Sequence, residues 1–180
     1  MFQKALQNIN EFYKSENKGC EKISDLFLLL KNVVNFDKCG IFYLVPNSLN
    51  FEQGLGGEFS KTYPLNDDVT QNLYDTKFPE VSELVKNILG TNDELLAQRL
   101  LVKGVVFGVF CVIRETPEFT SEEALVFETY SNVLTESVKE IELSKIVSMQ
   151  VQSMEKGLKK SYSDFENKTI TIKHKAIQGK

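Results

Sequence analysis

The chain has 180 residues, 42% of them apolar, with three cysteines, one histidine and a net charge of −4. That size suits one domain with an extension and is ample for a packed core. The acidic balance speaks against a whole-surface nucleic-acid footprint, and no apolar run approaches the ~18–20 residues of a membrane span.

The first segment, MFQKALQNINEFYK, lacks the apolar centre and cleavage site of a signal peptide. With a sparse, odd set of thiols (Cys20, Cys39, Cys111), this points to a reduced, cytoplasmic chain. In the same segment Phe2, Leu6, Ile9 and Tyr13 recur at helical steps and predict a first helix with a narrow packing stripe. Gly19 breaks that pattern. A second helix is predicted over 21–34, where Ile23, Leu26, Phe27, Leu30, Val33 and Val34 share a face wide enough to pack on a sheet.

Cys39 to Val45 is rich in β-branched and aromatic residues and stops at Pro46-Asn47, a strand ending in a turn. Leu49 to Glu52 is its hairpin partner, and Gly54-Leu55-Gly56-Gly57 reads as a loop. Thr62 to Leu65 contains Pro64 and fits a short edge strand. Asn66 or Asp67 caps a helix to about Thr76, and Pro79 is placed as the first residue of another running to Leu89.

Glu94 to Ile113 is the clearest strand pair, with Lys103-Gly104 as its turn. The second of these strands is almost wholly apolar, which predicts cover on both faces. Thr120 and Glu123 form a capping box opening a long helix, with Phe119 placed as a hydrophobic staple. Phe127, Leu134, Val138 and Ile141 carry its apolar face. Further on, Val147, Val151, Met154, Leu158, Tyr162 and Phe165 step by three and four like a coiled-coil seam, which Gly157 weakens. Residues 156–180 carry seven lysines against Asp164 and Glu166. These read as a solvated linker entering an output domain rather than a contact for nucleic acid or an anionic membrane.

The stretch from Leu95 to Ile141 carries the most specific pattern. It has an apolar strand, the basic-Gly turn Lys103-Gly104, a second apolar strand containing Gly108, and Phe119-Thr120-Ser121-Glu122-Glu123 opening the last helix. With the element order on either side, this resembles a GAF domain over about residues 18–145. It departs at Arg99, where many such strands carry proline. The resemblance implies an α+β fold: a central antiparallel sheet flanked by helices, with a long C-terminal helix. The expected division is an N-terminal helix (1–17), the GAF-like domain (18–145) and a helical signalling linker with a basic tail (146–180).

It also implies a ligand pocket between the sheet and the middle helices, for which Phe42, Tyr63, Leu65, Val69, Leu73, Arg99 and Phe107 are the candidate lining. A homodimer through the terminal helices is expected, with Val147, Val151, Met154 and Leu158 in its helix interface. The expected partners are an unidentified small molecule and a downstream kinase or cyclic-dinucleotide enzyme outside this chain.

Catalytic chemistry finds little support. A Walker lysine at Lys61 needs glycines where Ser60 and Leu55 stand, and the dinucleotide fingerprint lacks its third glycine. A catalytic triad would have to use His174, far down the basic tail. The bilin-attaching Cys-His pair of phytochrome GAF domains is missing, and Asn92-Asp93-Glu94 only echoes the cyclic-nucleotide signature. The acidic pairs Asp67-Asp68 and Glu122-Glu123 suit helix N-termini. Cys39 and Cys111 read as core residues, and Cys20 as the one near a helix N-terminus. The expectation is therefore a non-catalytic sensory module of a bacterial signalling protein, without cofactor or metal. The alternatives are a ligand-free dimerisation scaffold and a thiol enzyme of the free methionine sulfoxide reductase type.

Overall fold

An almost wholly apolar strand must lie inside a sheet covered on both sides, and the strand from Val105 to Arg114 does so. The computed structural model describes residues 1–14 and 20–178, with side chains given for 1–14 and 21–163. Its elements run α1 (Phe2–Lys14), α2 (Cys20–Lys31), β1 (Lys38–Val45), β2 (Ser48–Leu55), β3 (Thr62–Pro64), α3 (Asp67–Asp75), α4 (Val81–Leu89), β4 (Glu94–Val102), β5 (Val105–Arg114) and α5 (Ser121–Gln178). The strands form one antiparallel sheet in the order β3-β2-β1-β5-β4. The chain divides into two units, Met1–Lys139 and Glu140–Lys180.

Local chemistry sets the connections. β1 turns into β2 through Pro46 and Asn47, the latter in the left-handed conformation at φ 61°. β4 turns into β5 through Lys103 and Gly104, both at positive φ, which matches the twist of the flanking strands. Asn66 caps α3, its side chain accepting from the Val69 N–H at 2.8 Å. α4 ends on Gly90 at φ 65°. β4 is an edge strand, and the Ser82 hydroxyl of α4 accepts from its Ala97 N–H at 3.0 Å. That bond satisfies an outward donor the ladder leaves free.

Three expectations shift. Gly54 and Leu55 belong to β2, paired with Gly40 and Cys39, rather than to a loop. Pro79 lies in a turn before α4, because the Val81 and Ser82 N–H groups bond back to Lys77 and Pro79. On α1 the buried stripe is Ala5, Ile9 and Phe12, while Leu6 and Tyr13 are 48% and 60% exposed. Its partner decides the difference. Lys4 and Asn8 donate to the Asn32 and Leu29 carbonyls at the end of α2, and small Ala5 allows close approach.

The sheet is packed on both faces. On one, Phe110 stacks between Phe27 of α2 and Phe127 of α5, with centroids 5.6 and 5.2 Å apart. On the other, Phe42, Leu49, Val109, Cys111 and Ile113 meet Leu73 of α3 and Val81 and Val85 of α4. At the end of β5, Arg114 is buried. It pairs with both oxygens of Glu123 at 2.7 and 3.0 Å and donates to the carbonyls of Asn35, Pro117 and Glu118. Glu123 also completes the capping box: its carboxylate accepts from Thr120 N–H at 2.8 Å, and the Thr120 hydroxyl accepts from Glu123 N–H.

The hydrogen bonds from Arg114 outweigh burial, which acts the other way, and hold the Glu123 carboxyl at about 2 against an ordinary 4.5. Because its folded value is lowered, the stability it confers is complete above the ordinary value and lost as pH falls toward the folded one. Glu123→Gln is expected to cost about 3 kcal/mol at neutral pH by leaving the guanidinium without its counter-charge. In urea melts its deficit against the wild type should shrink between pH 4.5 and 2, where the wild-type carboxyl takes up its proton. A deficit unchanged over that window would remove the ion pair as its source.

Candidate functional site

The sheet face beneath α3 and α4 is where the expected pocket residues converge. Phe42 of β1 is fully buried at its centre, and Leu65, Leu73, Tyr63 and Val69 pack in the same cluster. Two further aromatics, Phe51 of β2 and Phe59 of the β2–β3 connection, join them. The Phe42 ring meets Phe59 edge-on at 5.2 Å, Phe51 at 5.6 Å and Tyr63 at 5.8 Å, and Phe51 and Phe59 stack at 5.2 Å. The protein's own rings thus occupy the centre of this face.

Two of the candidates go elsewhere. Arg99 is buried on β4, but its guanidinium donates to the Leu73 carbonyl at 3.5 Å and to the Tyr74 carbonyl. It therefore satisfies the last turn of α3, where carbonyls lack helical partners and the dipole favours a cation. Phe107 lies outside the cluster, with its ring 6.2 Å from that of Tyr43. The register explains this. Leu100 pairs with Gly108 and Leu101 with Val106, so Phe107 is the extra residue of a bulge and leaves the alternation of Val109 and Cys111.

Polar chemistry here is sparse. The Tyr63 hydroxyl accepts from the Ser60 N–H at 3.0 Å. The Lys38 ammonium stands 5.1 Å over the Phe59 ring. Burial pushes the Cys39 thiol up to about 12 and raises Cys111 further, so neither supplies a thiolate near neutral pH. Among the described residues no cluster of His, Cys, Asp or Glu could hold a metal ion, and no helix is long and apolar enough to cross a membrane. The side chains of Cys20, Phe165 and His174, and most of the basic tail, lie outside the described ones.

Sequence reading did not single out Phe51, Phe59 or Arg114 for these places. The available signal for Arg114 was a basic residue closing an apolar strand nine positions before the capping-box glutamate. Nothing local marked Phe59, because its place depends on a sheet face assembled from β1 and β2.

No protein-family model matches the chain, and no curated protein matches it. Solved structures do. The GAF domain of a phosphoenolpyruvate-protein phosphotransferase from Coxiella burnetii superposes with a TM-score of 0.58 at 12% identity, covering 81% of this chain and 96% of that one. A GAF domain/HD domain protein from Geobacter sulfurreducens gives 0.51 at 18% identity, over 67% and 92%. Free methionine-R-sulfoxide reductase from Neisseria meningitidis, solved with its substrate, gives 0.56 at 12% identity, over 78% and 89%. The chain has the GAF fold: a five-stranded antiparallel sheet flanked by helices, with a long C-terminal helix.

The thiol environments make a direct prediction. In a Cys20→Ser chain, an aromatic disulfide reagent at about pH 8 should leave Cys39 and Cys111 unmodified until denaturant is added. Prompt labelling of the native chain would show that these thiols are accessible after all.

Proposed function

We propose that the chain is a non-catalytic regulatory module that works as a homodimer and passes a change in packing along α5 to an output domain. The observation that carries this reading is the apolar stripe of the second unit. Val147, Met154 and Leu158 are 56%, 62% and 60% exposed, and Val151 and Tyr162 lie on the same stripe at steps of three and four. A helix with such a stripe gains little from its own backbone and is stabilised by covering it. A second copy of the same helix offers the matching seam. Gly157 interrupts this seam without crowding, since a Cβ there meets nothing within 4 Å. The two expected output types are a kinase and a cyclic-dinucleotide enzyme. A structural neighbour from a signalling protein, a methyl-accepting chemotaxis protein, supports the regulatory reading.

A ligand-free dimerisation scaffold is the second reading, favoured by the rings that fill the face under α3 and α4. A thermal shift with small metabolites separates it from a sensor. The thiol-enzyme reading draws on the reductase neighbour, but burial raises Cys39 and Cys111 and makes these two poor thiolates for it.

Light scattering after size exclusion tests the dimer. The full chain is expected to run as a dimer and a chain ending at Leu143 as a monomer, with Met154→Asp and Leu158→Asp together weakening the full-length dimer at least about a hundredfold. A full-length monomer at high micromolar concentration removes the proposal. A dimer that survives truncation moves the interface into the first unit.

A further inference from the structure

Phe78 touches both faces of the sheet. It stands in the connection between α3 and α4 and packs against the cluster of Phe42, Leu73, Val81 and Val85 on one face. Its ring also lies 6.3 Å from that of Phe127, tilted by 36°. Phe127 belongs to α5 and stacks on Phe110 on the opposite face. β4 is the edge strand, so the contact passes around its outer edge and does not cross the sheet. Ring centroids at this separation lie within the range where aromatic pairs attract.

The connection is a stiff arch with both feet on β4. At one foot the Arg99 guanidinium donates to the Leu73 and Tyr74 carbonyls near the end of α3. At the other the Ser82 hydroxyl accepts from the Ala97 N–H at 3.0 Å. Leu73 and Val81, which flank the arch, are fully buried. Between the feet the backbone is hydrogen-bonded to itself. The Thr76 N–H donates to the Asn72 carbonyl, the Val81 N–H to Lys77 and the Ser82 N–H to Pro79, each at 2.9 Å. A segment held this way passes on a shift of α3 or α4 where a loose loop would absorb it.

We propose that this arch is a lever: Phe78 carries a displacement of α3 or α4 straight to Phe127 near the start of α5, without deforming the sheet. Phe127 lies four residues, about one turn, beyond Glu123. Arg114 holds Glu123 in place, so a push on Phe127 acts beside a fixed point and turns the helix about it. The sheet is the poorer carrier. β4 and β5 are paired from Glu94–Arg114 to Val102–Val105, and a close-packed interior resists deformation. Phe78 is thus a positioning residue for α5. The lever rests on the reading of α5 as the output helix, but it needs neither a second copy nor a ligand.

Amide hydrogen exchange on the full chain tests the lever. Arg99→Met frees one foot of the arch and is the perturbation; Ser82→Ala, which frees the other, serves if that variant fails to fold. Exchange of the α5 amides over 124–134 is compared with that of β1 and β5 in the same chain, so that a general loss of stability cancels. Freeing the arch is expected to speed α5 relative to β1 and β5 about tenfold. With Phe78→Leu as the background, which keeps apolar bulk but loses the ring, that response should fall below about twofold; with Phe78→Tyr, which keeps the ring, it should persist. An equal response in the leucine background would show that the coupling runs through the sheet and overturn the lever. So would an α5 that does not respond with Phe78 in place. Either of these results leaves the dimer untouched, and a monomer in light scattering leaves the lever untouched.

Discussion

The pairing of Arg114 with Glu123 ties four parts of the first unit at one point. The guanidinium closes β5, reaches the Asn35 carbonyl before β1, holds the Pro117 and Glu118 carbonyls of the connection, and grips the first turn of α5. Phe119 lies against its face, 3.9 Å away. A buried ion pair adds little net stability over an apolar substitute, because desolvation offsets attraction. What it adds here is geometry. A planar fork with all its donors engaged admits one direction for the start of α5, and that direction lets Phe127 complete the stack on Phe110 and Phe27.

From that anchor the two faces of the sheet take different roles. The α2 and α5 side is closed by stacked aromatics and by Val126, Tyr130, Leu134 and Val138. The α3 and α4 side holds rings from separate strands around a floor of glycine, and one of those rings sits on a connection rather than on a strand. The polar groups that might have served chemistry there are committed elsewhere. Arg99 completes α3, and burial keeps the two thiols protonated.

Much of the fold was legible because it rests on local signals. Helical steps marked α2 and α5, positive-φ residues marked both hairpin turns, and Asn66 and Thr120 marked helix starts. Each of these works through neighbours a few residues away, which a sequence displays. Phe42, Tyr63, Leu65, Val69 and Leu73, which the family resemblance put on one face, share one hydrophobic cluster. Phe107 escaped the pattern because a single bulge residue breaks a period of two.

The sequence alone determined the element order, the antiparallel hairpins, an apolar β5 that has to be covered twice, and the apolar seam of α5. All follow from periodicity and turn chemistry along the chain. Tertiary structure alone decided that α1 buries Ala5 and Phe12 beside Ile9 and exposes Leu6 and Tyr13, that Arg99 serves a helix end, that Arg114 joins four segments, and that Phe59 covers Gly40. The physical reason is common to all four. Each depends on a partner tens of residues away, whose position is fixed by packing and not by spacing in the chain.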